Sequence, residues 1–564
     1  MSNKSHLALA GSALAVALAA AAPAAPAAAC GGFFCDAAQP VNQAAERIVF
    51  AREPDGSVTA VIQIQYAGAA EEFAWLLPVA GSPEVRVSSN EAFRRLQQAT
   101  NPQYLLNTIV EGNCRDDRLA FGPSDSAGGG GADAGALAPG PGGVTVVNQG
   151  SVGPYDFVVI SVDPELPTAS DVAVEWLREN GYQIDPSGAA RLAPYLEGGM
   201  NLLAFRLTKG NDTGAIRPVM LGFGPGLATI PLRPTAVAAV DDMGIMVWVL
   251  GPHRAVPVNY RSLELNEALI DWLNPNRNYN AVVTEAANQA GGQGFVTEMS
   301  GEARPLADTI FADWELSQWA AASDLSSWGD VRGRLVDVLS TFGSHDGIRE
   351  VVDRTVPLAP GVDVDAFLSC LGCDGQLGSL DAFDVGAFLS AMEAQVIEPM
   401  RQTRALFERS PTVTRFYTTM SADEMSVDPS FAFNPDLPPV AALRQADRII
   451  ECSPGISQFE APWRVVLPNG QTVRGMGNTW PFTVGEEGGL PANFRIRRVG
   501  TEGEGEVIVD NGALIAAALA DHNARAPRLR TSACSVSPVA SGGALFGLFA
   551  LGALGALAFR RRRS

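Results

Sequence analysis

A chain of 564 residues in which 47% are hydrophobic and 18% charged has enough apolar material for two or three folded domains, which excludes a largely disordered protein. Its 61 acidic residues outnumber 40 basic ones for a net charge of −21, which disfavours nucleic acid and anionic lipid as partners. Lysine occurs only at Lys4 and Lys209, a bias of genomic composition rather than of function.

The two ends carry targeting information. Residues 1–29 read as a secretory signal peptide: Lys4 precedes an apolar Ala/Leu/Val run, and Ala27-Ala28-Ala29 stands before Cys30. Acylation of Cys30 is the alternative, but Ala27 occupies the place where lipoprotein signals usually have Leu. At the other end Cys534 is followed by a Ser/Pro/Gly spacer and an uncharged run from Gly542 to Phe559, closed by Arg560, Arg561, Arg562 and Arg563. As a helix that run spans about 27 Å, enough for a bilayer core, with the arginines on the cytoplasmic side. Without Lys4 and the four arginines, 35 basic residues face 61 acidic ones, a net of −26.

Cysteines stand at 30, 35, 114, 370, 373, 452 and 534. With Cys534 set aside, six remain in an oxidising compartment, where 15 pairings are possible. The pairing adopted takes Cys30 with Cys35 and Cys370 with Cys373, leaving Cys114 for Cys452.

In chain order, Arg47 to Ala51 and the alternating stretch Val58 to Tyr66 predict strands. Phe73, Trp75, Leu77 and Val79 predict a third, which Pro78 either ends or places at an edge, so the start reads as an antiparallel meander. A helix is expected over Ser89 to Ala99 with Phe93 and Leu96 on one face. Residues 124–143 are mostly Gly, Ala, Asp, Ser and Pro and predict a flexible insertion inside one domain. A strand over Tyr155 to Asp163 precedes a helix whose start at Thr168 to Asp171 has capping-box character. Strands are then expected at Met200 to Thr208, Arg217 to Phe223, Ala228 to Arg233 and Gly244 to Leu250.

CGGFFC at Cys30 to Cys35, QPVNQAAERIVFA and EEFAWLLPVAGSPEV open the mature chain. GPYDFVVISVD, VEWLRENGY, LAPYLEGGMNLLAFRL and IPLRPTAV follow. These motifs resemble the uncharacterised bacterial family called domain of unknown function 2330 over about residues 30–350. The resemblance implies an exported β-rich domain and brings no functional residues. The Cys534 tail resembles the MYXO-CTERM sorting signals of bacterial surface proteins, which implies processing and anchoring at Cys534.

From Leu263 to Arg409 the pattern turns helical. Leu265, Leu269 and Leu273 share one helical face, as do Val331, Leu335, Val338 and Leu339. A helix near Phe383 to Met392 should kink or end at Pro399. Strands return after Thr412, at Arg448 to Cys452, Trp463 to Leu467 and Phe494 to Val499, before a last helix at Ala513 to His522. No internal repeat is evident. The expected fold is α+β: an antiparallel β-rich region at 30–262, a mainly helical region at 263–411, and an α/β region at 412–530 packing on the first. Residues 531–564 form the tail.

Candidate chemistry is sparse. Cys370-Leu371-Gly372-Cys373 reads as a structural disulfide before a redox pair or zinc site, since no further ligand pair accompanies it. His253, His345 and His522 belong to no HExxH motif, and GxSxG is absent. Glu71-Glu72 and Asp241-Asp242 are adjacent strand residues that point to opposite faces, unlike a glycosidase pair. Asp363, Asp365 and Asp374 do not follow EF-hand order counted from Asp363. No catalytic, metal or cofactor residue is assigned. The expectation is an exported, surface-anchored, non-enzymatic binding or scaffold protein of the bacterial envelope. Its partners would be the membrane, a processing protease and an unidentified extracellular ligand. The alternatives are an extracytoplasmic hydrolase acting on wall polymers and, third, a thiol-disulfide protein.

Overall fold

The computed structural model describes residues 35–36, 39–40, 42–67, 74–114, 144–166, 168–180, 182, 186–207 and 217–528. Residues 1–29, read above as a signal peptide, Cys30, Glu71-Glu72, the Gly-rich stretch 124–143 and residues 529–564 with Cys534 and Arg560 to Arg563 lie outside them.

Ten strands form one mixed sheet. From edge to edge they are Glu506–Asp510, Asn493–Arg498, Arg261–Leu265, Gly294–Glu302, Thr412–Met420, Ala239–Gly251, Asn42–Arg52, Val58–Ala67, Val219–Phe223 and Glu84–Val87. Pairing is antiparallel except between Arg261–Leu265 and Gly294–Glu302 and between Ala239–Gly251 and Asn42–Arg52. The alternation read in Val58 to Tyr66 is realised by burial on both faces. Ile62 and Ile64 pack with Ile48 and Phe50 on one side, while Val61 joins Val49 and Trp248 on the other.

The first face is covered by a second sheet, ordered Ala74–Val79, Asn201–Leu207, Tyr155–Val162 and Val144–Val152. Trp75, Leu77, Leu203 and Phe205 reach inward to the central sheet. Leu76, Leu202 and Ala204 face outward to the helices Ala169–Glu179 and Pro186–Glu197. The second face carries helices from Asn90–Thr100 to Glu398–Arg409, packed on Trp248, Leu250 and Val413. Each large apolar side chain buried in these layers contributes about 1.5–3 kcal/mol. The fold is therefore α+β, with two stacked sheets between outer layers of helices. A further sheet of Gln103–Glu111, Leu443–Glu451, Pro462–Val466 and Thr472–Met476 extends the structure at one end, near the helices Tyr279–Gln289 and Gly512–Arg525.

Several expected elements differ. Ala74–Val79 is indeed an edge strand, but it belongs to the second sheet, so the meander stops after Val58–Ala67. Ala228 to Arg233 gives only the strand Ala228–Thr229 and then a short helix, because Pro231 and Pro234 deny the ladder two N–H donors. Leu265 lies in a strand, and Leu269 and Leu273 in turns capped by Asn266 and Asp271 side chains. Thr168 precedes its helix without a side-chain cap. Before Pro399 the chain forms a π-turn over Glu393–Ile397 and resumes as the helix Glu398–Arg409, which places the proline in a first turn where its missing N–H costs nothing.

Candidate functional site

A two-lobed polar cleft opens where the central sheet, the Gln97–Tyr104 connection and the 275–280 turn meet. One lobe, of about 600 Å³, is lined by Arg47, Gln97, Asn101, Glu298, Arg415 and Tyr417, among others. The second, of about 490 Å³, is lined by Arg254, Glu264, Glu267, Arg444, Arg497 and Glu504, among others. Tyr104 and Tyr279 line both lobes and form the wall between them. Their rings lie 5.9 Å apart, and Tyr104 stands edge-on to Trp272 at 5.0 Å.

The floor is a buried ion pair. Thr297 pairs with Phe416 and Met299 with Arg415, so Glu298 is the extra residue of a β-bulge. A bulge re-aims its side chain, and here it brings Glu298 to 2.6 Å from Arg415 Nε. Tyr279 Oη donates to the other carboxylate oxygen at 2.6 Å. Arg415 Nη1 donates to Thr100 Oγ1 at 3.1 Å and to the Gln97 carbonyl at 3.3 Å, near the C-terminal end of the helix Asn90–Thr100. That end carries partial negative charge and suits a cation. Trp248 completes the arrangement: its Nε1 donates to Thr100 Oγ1 at 3.0 Å and its ring faces the guanidinium at 5.5 Å.

Burial pushes the Glu298 carboxyl above the usual range, against the pull of Arg415 and the Tyr279 hydrogen bond. Burial, reinforced by Glu298, likewise pushes Tyr417 up to about 12. Arg47 is held below its ordinary value by burial and by the Arg415 charge, and donates to Gln63 at 3.1 Å. In the second lobe burial raises Glu267, with Arg444 at 3.5 Å opposing it. Glu264 is 2.7 Å from Arg497, whose guanidinium also lies 3.9 Å from Glu504. Glu264, Glu267, Glu298 and Glu504 are thus each matched to an arginine, whereas Glu46, which also lines the first lobe, has no ion pair among the described residues; Asn and Gln amides and tyrosine rings fill the space between them.

The family model described as an uncharacterized protein conserved in bacteria, domain of unknown function 2330, matches residues 23–317. The chain belongs to this family. Comparison with curated proteins and with solved structures returns no match. The family region supplies Arg47, Tyr104, Tyr279 and Glu298 to the cleft, whereas Arg415, Tyr417, Arg444 and Arg497 come from beyond it.

The residues singled out in the sequence lie elsewhere. Cys114 bonds to Cys452, joining the ends of the parallel strands Gln103–Glu111 and Leu443–Glu451. Cys370 bonds to Cys373, and Cys370 is the C-cap of the helix Val364–Ser369, the end of a helix that disfavours a thiolate. Asp363 caps that helix, Asp365 pairs with Arg349, and Asp374 lies 3.0 Å from Arg332. Among the described residues no group of three or more His, Cys, Asp or Glu is placed to hold a metal ion. His345 is buried 3.4 Å from Glu315, which also binds Arg95. His522 contacts the Arg474 carbonyl, and His253 is exposed, so the three histidines never meet. Asp241 and Asp242 are both exposed, at an irregularity in the ladder between Ala239 and Gly244.

Proposed function

We propose that this protein is an exported envelope protein, held at the membrane by its C-terminal tail, that binds a hydroxyl-rich extracellular ligand in the two-lobed cleft without turning it over. The reading rests on the cleft's lining: the Tyr104 and Tyr279 rings between two polar lobes, with Glu298 and Glu267 held by arginines. Aromatic faces beside amide and guanidinium donors suit a polyhydroxylated molecule such as a wall glycan. Titrating soluble wall-glycan fragments into the folded chain by calorimetry should give saturable binding, weakened about tenfold in Tyr104→Ala, with the fragments recovered intact. An absence of binding by all fragments would sink the assignment.

A hydrolase acting on wall polymers is the second reading. Its support is that Glu267 and Glu298, both with raised carboxyls, each act electrostatically on the Tyr104 hydroxyl. New reducing ends released in the same titration, and lost in Glu298→Gln, would favour it. Anchoring is tested separately. Mass spectrometry of protein from the native envelope should find a chain ending near Cys534 with added mass there, whereas retention of Arg560 to Arg563 would mean a permanent transmembrane tail.

A further inference from the structure

On the opposite face of the strand Asn42–Arg52 from the ion pair lies a second cavity, of about 220 Å³, between the central and second sheets. Ile48, Phe50, Ile62, Leu77, Met200 and Phe223 supply much of its wall. Apolar cavities of about 150 Å³ already take up benzene, so the space suffices for a small organic molecule. One feature does not belong in such a wall. Glu46, only 4% exposed, projects among isoleucines, its strand neighbours being Ile64 and Ile245.

Its recorded hydrogen bond is a long one, 3.5 Å from Gln43 Nε2. The other atom of that amide, Gln43 Oε1, is buried and has no hydrogen-bond partner among the described residues. A buried acceptor without a partner costs about 1–3 kcal/mol, and the Glu46 carboxyl beside it, held by a single long hydrogen bond, is left short of donors on the side that faces the cavity. Asp428 lines the same cavity and accepts from Tyr195 Oη at 2.6 Å and from the Leu232 and Arg233 amides. No arginine, lysine or histidine lines it among the described residues. The field inside is negative, and Phe50, Phe223 and Tyr195 offer aromatic faces to a cation.

We propose that this cavity is a binding site for a small apolar amine, its ammonium donating to Glu46 and its hydrocarbon body lying among Phe50, Leu77 and Phe223. An ammonium has three donors and no acceptor, matching a lining whose ionisable acids are Glu46 and Asp428, and its charge offsets the desolvation of the Glu46 carboxylate. A carboxylate ligand would meet two acids and no base. The raised Glu46 carboxyl, which burial lifts to about 7, is consistent with a site that lacks its counter-charge. Glu46 also lines the first lobe of the polar cleft, whereas Ala60 lines this cavity and not the cleft, so a substitution at Ala60 separates the two sites.

Phenethylamine is a suitable probe, with 3-phenylpropionate and 2-phenylethanol as matched anionic and neutral controls, followed by calorimetry on the folded chain. The amine should bind, and both controls should bind about tenfold more weakly or not at all. Glu46→Gln should reduce amine affinity about tenfold while the controls are unchanged. Ala60→Leu, which fills the cavity without touching the carboxyl, should abolish binding of all three. Equal affinity for amine, alcohol and acid would overturn the assignment, as would amine binding indifferent to Glu46→Gln, or no binding of the amine at millimolar concentration.

Discussion

Glu46 has a consequence for stability that is independent of any ligand. Burial lifts its carboxyl from 4.5 to about 7, with the Gln43 hydrogen bond opposing only weakly. The folded chain therefore holds a proton that the unfolded chain has already released between those two values. Stability falls as pH rises through that window, by about 3 kcal/mol for this group alone. Glu46→Gln should leave stability near pH 4 unchanged and raise it at pH 8 by up to about 3 kcal/mol, read from urea midpoints at the two pH values. A variant no more stable at pH 8 than the native chain would show that Glu46 ionises freely in the fold. The same residue illustrates what can be read from sequence at this scale. Glu298 in FVTEMSG and Arg415 in TVTRFYT are single charges inside apolar or β-branched strands, and in AAERIVF Glu46 stands beside Arg47 at the head of an apolar run. That pattern could have drawn attention to them. Their partners could not be named, because Glu298 reaches Arg415 through a bulge and Tyr279 from a helix, and neither contact leaves a local trace.

At the scale of elements the two disulfides differ mainly in the loops they close. Cys114 and Cys452 are separated by 338 positions, Cys370 and Cys373 by three. Restricting the unfolded chain is worth more for the longer loop, about 6 kcal/mol against about 2 kcal/mol in the chain-entropy account. The double substitution Cys114→Ser with Cys452→Ser should therefore lower the thermal midpoint clearly more than Cys370→Ser with Cys373→Ser. The reverse order in melting curves would show that the short bridge holds native structure the unfolded-state argument ignores. Gly112 guards the longer bridge: its φ of +88° and the nearby Cys452 carbonyl leave no room for a side chain.

Elements were legible where one periodicity ran uninterrupted, as in Val58–Ala67 and Val331–Phe342. Gly294–Glu302 lies within the stretch read as mainly helical, and no strand was expected there. A short repeat also escaped notice. Asp363 to Ser369 reads DVDAFLS and Asp384 to Ser390 reads DVGAFLS. In both, the aspartate caps a helix and the phenylalanine, Phe367 or Phe388, is fully buried in the same core.

For the whole molecule the decisive fact is the order of the central sheet. Thr412–Met420 lies between Ala239–Gly251 and Gly294–Glu302, pairing with both. The match to the family model ends at residue 317, so the region it covers contains the two outer strands and lacks the middle one. A chain of residues 30–317 would leave both inner edges open, with Val247, Trp248 and Phe295 deprived of Phe416 and Val413. Open apolar edges of this kind recruit other chains rather than stay folded. That fragment should show no cooperative melt by circular dichroism and should bind a hydrophobic dye, whereas residues 30–528 should unfold in one transition. Supplying residues 318–528 as a second chain should restore cooperativity, because the missing strand and its helices then return. A sharp melt from 30–317 alone would mean that Ala239–Gly251 and Gly294–Glu302 can pair directly. The cleft would then be an addition to an autonomous domain, and Arg415 would be dispensable for folding though still required for binding.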